Sequence, residues 1–232
     1  MNVLPGFALL LWSTKIMKKD LFVFIFLLIS VSSVFAQTRY GEVHYSVVYR
    51  ATDLSEEEIA MLPSEASIVF KDDLMRMNMS MGMGMESAVV VQKDRVHVLM
   101  DVLGNKFALR TSRDEIRKDP NGNKPFVLKQ MTDEYKEIAG YRCRKAVLSA
   151  PEQDDMTVWF TDRLKSSATW YYQMDGIDGF PMEFDLTATG MAIRIAAKSV
   201  SAELPGDQEF IVSKEYRILT QEELNKMMGA GR

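Results

Sequence analysis

Apolar and polar residues alternate with a period of two through most of the chain after residue 40. In the first such segment Val43, Tyr45 and Val47 alternate with His44 and Ser46. Successive side chains of a β-strand point to opposite faces, so this alternation predicts strands with one buried and one solvated face. The segments with this pattern lie around residues 43–49, 68–70, 75–85, 88–91, 96–100, 107–109, 126–131, 134–138, 141–148, 156–160, 170–174, 180–186, 191–197 and 209–213. So many strands with short connections predict a mostly β fold built on an antiparallel sheet.

Turn and helix signals separate the predicted strands. Ser55 with Glu58 three residues later predicts the capping box of a short helix, and Thr220 with Glu223 predicts a box for a C-terminal helix. Residues typical of tight turns occur at Asp72-Asp73, Lys93-Asp94, Leu103-Gly104-Asn105 and Ala139-Gly140. Residues 112–124 form a polar connection that ends in a turn cluster. The sequence contains no internal repeat and no low-complexity linker, which indicates one domain after the N-terminal segment.

The N-terminal segment, residues 1–36, is predicted to be an extension followed by a secretory signal peptide. Lys18 and Lys19 precede an apolar run over residues 21–34, and small residues lead to a cleavage site after Ala36. The apolar run is shorter than the roughly 20 residues of a membrane span; an uncleaved N-terminal anchor is the alternative. Met17 stands directly before the lysines and is the predicted translation start.

The predicted mature chain, residues 37–232, has a mildly acidic balance. The whole chain carries a net charge of −4, and residues 1–36 contain three lysines and one aspartate, which leaves −6 for the rest. An acidic chain without basic runs argues against nucleic acid and anionic membranes as partners. Cys143 is the only cysteine, so we expect no internal disulfide, no lipid-anchoring cysteine after the cleavage site, and a periplasmic or secreted protein.

The methionine ladder is the most distinctive feature of the sequence. Its members occupy every odd position over eleven residues: Met75, Met77, Met79, Met81, Met83 and Met85. The period predicts one long strand with six thioether side chains on one face. Three interpretations follow: ordinary core packing, a cavity in which flexible methionines adapt to hydrophobic ligands, or a Cu(I) site, since thioethers select soft metals. No histidine or cysteine lies within the ladder, so a mixed metal site would need His44 or His97 from a neighbouring strand.

The other potentially reactive residues and the aromatic residues favour a structural role over a catalytic one. Cys143 lies between arginines, but strand alternation places those bases on the opposite face and predicts a buried, unreactive thiol. No nucleophile, base and orienting group can be assembled from the sequence, so we expect no enzyme and no cofactor. Trp159 and residues 170–172 form an aromatic cluster, interpreted either as sheet packing or as a surface patch for a ligand or partner.

Four segments resemble motifs of a family of exported proteins of unknown function from Gram-negative bacteria, related to the GLPGLI-type proteins. They are, in chain order, MDVLGNK at residues 100–106, YKEIAGYRCRKA at 135–146, VWFTD at 158–162 and GIDGFPME at 176–183. The last resembles the segment from which the GLPGLI proteins take their name. The resemblance covers most of residues 37–232.

This resemblance implies a single domain like the lipoprotein-carrier and lipoprotein-receptor (LolA/LolB-like) half-barrels. In that fold a curved antiparallel sheet with two or three short helices encloses an apolar cavity. The expected function is non-enzymatic binding of a lipid, an acylated protein or another hydrophobic ligand; a Cu(I)-binding module and a structural protein with a filled core are the alternatives. The predicted cavity lining comprises Met75, Met77, Met79, Met81, Met83, Met85, Met100, Phe180, Met182 and Phe184.

Overall fold

The alternating segments form one large sheet in a computed structural model of the chain. The structure describes residues 37–50, 53–118, 124–188, 191–220 and Glu223, without the side chains of Met83 and Ala188. The predicted signal peptide, the turn cluster at 119–123 and the body of the predicted C-terminal helix lie outside these residues. The chain divides into two units, Met1–Ala36 and Gln37–Arg232, and every element below belongs to the second.

The described residues contain thirteen strands, joined in a single sheet. In chain order the strands are β1 Tyr40–Arg50, β2 Glu65–Lys71, β3 Leu74–Met81, β4 Met85–Gln92, β5 Arg95–Val102, β6 Asn105–Ser112, β7 Phe126–Ile138, β8 Tyr141–Ser149, β9 Met156–Thr161, β10 Met174–Asp175, β11 Phe180–Ala188, β12 Met191–Ser201 and β13 Arg217–Leu219. The spatial order is β10-β7-β8-β9-β11-β12-β1-β2-β3-β4-β5-β6-β13. Only the short outermost pairs, β10 with β7 and β13 with β6, are parallel. The predicted mostly β fold with an open antiparallel sheet is confirmed.

Helical segments are few and short within the described residues. The α-helices are α1 Glu56–Ile59 and α2 Arg113–Lys118, and 3-10 turns occupy Gly82–Gly84, Ser167–Tyr172 and Asp207–Phe210. Both predicted capping boxes are present: the Ser55 and Glu58 side chains each bond the other's backbone N–H, as do Thr220 and Glu223. Helix α2 was not predicted, although Ser112 and Glu115 form a third box ahead of it.

The predicted hairpin turns are confirmed. Leu103-Gly104 and Ala139-Gly140 have positive φ at both central residues, as two-residue hairpin turns that match the strand twist require. The turns at Asp72 and Lys93 also contain a positive-φ residue, with φ of 52° and 55°. These turns fix the register of the neighbouring strands, and therefore which residues of each strand face the interior.

The prediction that the methionine ladder forms one strand was wrong. Strand β3 ends at Met81, a 3-10 turn follows, and Met85 begins β4 directly opposite Met81. Gly84, with φ of +71°, supplies a conformation that residues with a side chain rarely adopt. The Gly82 N–H donates to the Met61 carbonyl at 3.1 Å, which anchors the turn beside the segment after α1. The ladder is therefore folded back on itself as a hairpin.

Two further predicted strands were wrong. Residues 167–172 form a 3-10 turn, since the Ser166 hydroxyl accepts from the Ala168 N–H at 3.2 Å and starts a helical segment. The stretch at 209–213 is a 3-10 turn and coil, and it packs on the outer face of the sheet. There Phe210 is buried, and its carbonyl accepts from the Gln92 amide at 2.7 Å. Val212 packs against a small cluster of buried residues formed by Ala88, Val90, Leu99 and Ala108.

The sheet is strongly curved. Residues of β6 and β7 line one cavity although ten strand intervals separate these strands in the sheet order. At about 4.8 Å per interval they would lie about 48 Å apart in a flat sheet. The main core cluster lies on the concave side and joins residues distant in sheet order, among them Phe70, Met75, Phe180 and Met182. The concave face is thus the interior of the domain.

We expect Gly82→Ala to lower the free energy of unfolding by about 1–3 kcal/mol, the usual cost of overpacking. An added Cβ would lie 2.9 Å from the Met61 Cα and 3.1 Å from the Ala60 carbonyl oxygen. Gly206→Ala is the matched control, because nothing lies within 4 Å of its added Cβ and its φ of −69° suits alanine. Urea unfolding monitored by circular dichroism measures both; equal stabilities would contradict the close packing of the ladder turn.

Candidate functional site

An apolar cavity of about 530 Å³ lies inside the curve of the sheet. This volume falls within the range of pockets that bind small ligands. Its lining comes from strands in both halves of the sheet and from three connecting segments. The lining residues are Tyr45, Val47, Tyr49, Pro63, Ala66, Ile68, Met77, Met79, Val96, Val98, Thr111, Ile116, Lys124, Phe126, Met156, Tyr171, Tyr172, Gln173, Met174, Phe184, Leu186, Ile193 and Ile195. Lys124 is the one charged residue in this lining.

Strand register explains why these side chains meet. Tyr45 on β1 is paired with Ala66 on β2, which is paired with Met79 on β3. On the other side of β1, Val47 is paired with Ile195 of β12, which is paired with Phe184 of β11. Paired residues share a face of the sheet, so each row of paired residues across the strands adds apolar side chains to the same wall.

The 3-10 segment Ser167–Tyr172, called the plug below, enters the concave side and closes part of it. The Asp72 carbonyl accepts from the Ser166 hydroxyl at 2.8 Å and from the Ser167 N–H at 3.0 Å. The Trp170 indole N–H donates to the Lys93 carbonyl at 3.0 Å. The plug is therefore fixed to two hairpin turns, and it presents the Tyr171 and Tyr172 rings to the cavity.

Four tyrosines bring polar atoms to an otherwise apolar wall, and they differ in how these atoms are satisfied. The Tyr45 hydroxyl donates to the Pro181 carbonyl at 2.8 Å, and the Tyr49 hydroxyl donates to the Pro63 carbonyl at 2.9 Å. Burial raises the pKa of Tyr45, Tyr171 and Tyr172 above the ordinary phenol value, so all three are uncharged at neutral pH. The wall thus offers neutral hydrogen-bonding groups.

Two polar atoms at the end of the plug have no hydrogen-bond partner among the described residues. They are the buried Tyr172 hydroxyl oxygen and the buried Gln173 side-chain carbonyl oxygen. Both residues line the cavity. Buried polar atoms are nearly always paired in native proteins, because an unpaired one loses its hydration without compensation.

The predicted lining residues are divided among three environments. Met77, Met79 and Phe184 line the cavity. Met75, Phe180 and Met182 are fully buried in the core cluster that supports it. The remaining ones with described side chains are half-buried and lie outside the lining: Met81, Met85 and Met100. The side chain of Met83 is outside the described residues.

Sequence reasoning missed several residues of the cavity wall. Val47, Tyr49, Ile193 and Ile195 were recognised as the apolar positions of their strands, but nothing in their spacing indicated a cavity beside them. The plug tyrosines were noticed as an aromatic cluster and assigned to a strand. The signal that would have found them is the serine cap at Ser166, which favours a helical start.

Neither a reactive thiol nor a group of metal-ligating side chains is found among the described residues. Burial raises the pKa of the Cys143 thiol to about 12, and its Sγ donates to the Tyr141 carbonyl at 3.3 Å. The thiol is therefore protonated and a poor nucleophile at neutral pH. Across the described ranges no three His, Cys, Asp or Glu side chains are grouped as a metal site would require. None of the described helices has the length and apolar character of a membrane span.

A polar recess of about 610 Å³ adjoins the apolar cavity. The two share four lining residues, Phe126, Met156, Leu186 and Ile193. The ionisable residues that line the recess are four acidic and one basic: Glu152, Asp154, Asp155, Asp185 and Arg50. Two of the carboxylates are paired with cations, Asp155 with Lys129 and Asp185 with Arg194. The surroundings of the cavity on this side are therefore polar, with a small excess of carboxylates over cations.

Comparisons with known proteins do not assign the chain to a family. No protein-family model matches it, and no curated protein matches it in sequence. Membership of the GLPGLI-related family therefore stays a prediction.

Some solved structures are similar to the chain at low identity. An uncharacterized conserved protein from Thermus thermophilus aligns at 11% identity over 78% of this chain and 90% of its own, with a TM-score of 0.46. The MucA/MucB complex of Pseudomonas aeruginosa aligns at 10% over 78% and 58%, with a TM-score of 0.39. The lipoprotein LppX of Mycobacterium tuberculosis aligns at 11% over 73% and 90%, with a TM-score of 0.37. Similarities this weak bear neither on the cavity nor on its ligand.

We expect Tyr45→Phe to lower the free energy of unfolding by about 1–3 kcal/mol, the usual cost of leaving a buried polar group without its partner. The substitution removes the hydroxyl that donates to the Pro181 carbonyl in the interior. Urea unfolding measures the loss, with Tyr40→Phe as control because Tyr40 is 38% exposed. A Tyr45→Phe variant as stable as the control would contradict this role of the hydrogen bond.

Proposed function

We propose that this domain binds a hydrophobic ligand, such as a lipid or an acylated protein, in the cavity enclosed by its sheet. The supporting observation is the cavity itself: about 530 Å³, lined almost wholly by aliphatic, aromatic and methionine side chains. Apolar ligands gain roughly 25 cal/mol for each Å² of apolar surface removed from water. A pocket with this lining suits binding by burial more than catalysis, and we propose a non-enzymatic role.

The side chains proposed to contact the ligand include members of the methionine ladder. Met77 and Met79 lie on β3, and Phe184 lies on β11, four strand intervals away in the sheet order. An unbranched thioether side chain repacks at small cost, so this wall can adapt to ligands of different shape. Met75, Phe180 and Met182 would support the lining from the packed core cluster on the same face of the sheet.

The proposed place of action is the bacterial envelope. The proposal rests on the signal-peptide pattern before residue 37 and on the single cysteine of the chain. The acidic net charge of residues 37–232 favours a partner other than nucleic acid or an anionic membrane surface.

The sharpest test compares neighbouring valines of β1 that lie on opposite faces. Val47 lines the cavity, whereas Val48 is 46% exposed on the outer face. We expect Val47→Phe to fill part of the cavity and weaken binding of the fluorescent apolar probe N-phenyl-1-naphthylamine about tenfold, or ~1.4 kcal/mol. Val48→Phe adds the same ring outside and should leave probe affinity unchanged.

Fluorescence titration of the purified residues 37–232 measures both variants, and native mass spectrometry after gentle purification detects a ligand carried from the cell. A wild-type domain that carries no ligand and binds neither the probe nor fluorescent fatty acids would overturn the proposed function. Equal loss of affinity in both variants would show that the probe binds elsewhere.

A Cu(I)-binding module is the second candidate, favoured by the hairpin form of the methionine ladder. Met81 and Met85 are directly paired at the end of the β3–β4 hairpin, and both are half-buried outside the cavity lining. Paired residues of adjacent strands have Cβ atoms about 5 Å apart, which brings two thioethers within reach of one ion. Met79, two residues earlier on the same face, could supply a third.

Replacing Met79, Met81 and Met85 together with leucine should abolish Cu(I) binding if this site exists, because leucine keeps the volume and removes the sulfur. Competition with a chromogenic Cu(I) chelator measures the affinity. The control variant carries the same substitution at three methionines elsewhere in the domain, Met131, Met182 and Met191. Unchanged Cu(I) affinity in the first variant rules this site out.

A further inference from the structure

Hydrogen bonds hold the backbone of Gln173, the residue directly after the plug, beside the cavity wall. Gln173 has a left-handed backbone conformation with φ of 54°, and its N–H donates to the Trp170 carbonyl at 3.0 Å. Its carbonyl accepts from the Phe126 N–H at 2.8 Å, where β10 joins β7. Because the backbone is held on both sides, the Gln173 side chain and the neighbouring Tyr172 ring start from defined positions.

Two other tyrosine hydroxyls in this wall are hydrogen-bonded within the protein. Tyr45 and Tyr49 each donate to the carbonyl of a proline, so their oxygens are paired within the protein. The Tyr172 hydroxyl has no such partner in the described part of the chain, and neither does the Gln173 side-chain oxygen. Two unpaired polar atoms on consecutive residues of the cavity lining indicate a hydrogen-bonding group that comes from outside the chain.

The chemistry of the two atoms restricts the arriving group. A side-chain amide oxygen only accepts hydrogen bonds, so its partner must carry an N–H or O–H donor, whereas a phenol both donates and accepts. A carboxylate or phosphodiester group has acceptors alone and would face the amide oxygen unfavourably. The adjoining recess has four carboxylates, which face Arg50 in the lining and the Lys129 and Arg194 partners of two of them, so it offers an anion no net positive charge. The one cation in the cavity lining, Lys124, is solvent-exposed.

We propose that the ligand is a long-chain amphiphile with an uncharged head group that donates a hydrogen bond, such as a hydroxyl or an amide. Its donor pairs with the Gln173 side-chain oxygen, and its oxygen accepts from the Tyr172 hydroxyl. The chain of the ligand lies against the apolar wall that includes Met77 and Met79. This inference rests on the proposed function, because it assigns a head-group position within the same cavity.

Displacement of N-phenyl-1-naphthylamine by three ligands with the same chain length tests the head group. The ligands are 1-hexadecanol, which donates and accepts, methyl palmitate, which only accepts, and palmitate, which is anionic. Hexadecanol should bind the wild-type domain about threefold to tenfold more tightly than methyl palmitate, the range of one net hydrogen bond. Palmitate should bind more weakly than hexadecanol.

Substitutions at the two polar side chains should separate their roles. Gln173→Met should remove the advantage of hexadecanol and leave methyl palmitate unchanged, since the ester has no donor to lose. Tyr172→Phe should weaken both ligands, because both accept from the hydroxyl. Tyr40→Phe is the control: it removes the same hydroxyl from a residue that is 38% exposed and lies outside the cavity lining. Tyr40→Phe should leave the affinities of all three ligands and of the apolar probe unchanged.

The ligand-free protein provides a second, independent measurement. Tyr172→Phe should raise its melting temperature, because the substitution removes an unpaired buried hydroxyl, whereas Tyr45→Phe removes a paired one and should lower it. A lower melting temperature for Tyr172→Phe would overturn the inference, as would tighter binding of palmitate than of hexadecanol. Probe binding without any head-group preference would refute this inference alone; absence of all binding would refute the proposed function with it.

Discussion

The structure depends on one constraint: a single open sheet must bury its apolar face without a second sheet to cover it. Curvature solves most of the problem, because strands as distant in sheet order as β6 and β7 come to face the same interior. The plug covers part of what curvature leaves open, and the Asp72 carbonyl and the turn at Lys93 hold it there. Neither device fills the interior completely. The cavity is therefore a consequence of the architecture: it is the space on the inner face that curvature and the plug leave unfilled.

The sequence pattern predicted which residues face the interior better than it predicted where strands end. The methionine ladder shows why. Met81 and Met85 lie on the same face on either side of a three-residue turn, so the odd positions of β3 and β4 both point inward. Alternation therefore continues unbroken through the hairpin, and a period of two cannot reveal it. Gly82 and Gly84 were the only sign of the turn, and glycine in a strand pattern indicates a bulge as readily as a hairpin.

The candidate site could be predicted only in part, because periodicity gives the face of a residue but not its depth. Phe180, Met182 and Phe184 follow the same alternation in β11, yet the first two are packed in the core and the third lines the cavity. The difference comes from what lies opposite each residue across the curved sheet, which no local pattern records. The plug could not be predicted from the sequence for another reason. Its tyrosines belong to a 3-10 turn whose position depends on the carbonyl of Asp72, which is distant in the sequence.

The two features that lower the stability of the domain coincide in space. A cavity deprives its lining of packing contacts, and an unpaired buried atom loses hydration, so each raises the free energy of the folded protein. Elsewhere in the lining the phenols of Tyr45 and Tyr49 are paired, and in the core cluster on the same face Met75, Phe180 and Met182 are fully buried. Tyr172 and Gln173 combine both features, since each lines the cavity and carries an unpaired buried atom. A ligand that fills the cavity and pairs both atoms accounts for them together, and by mass action it would stabilise the folded state.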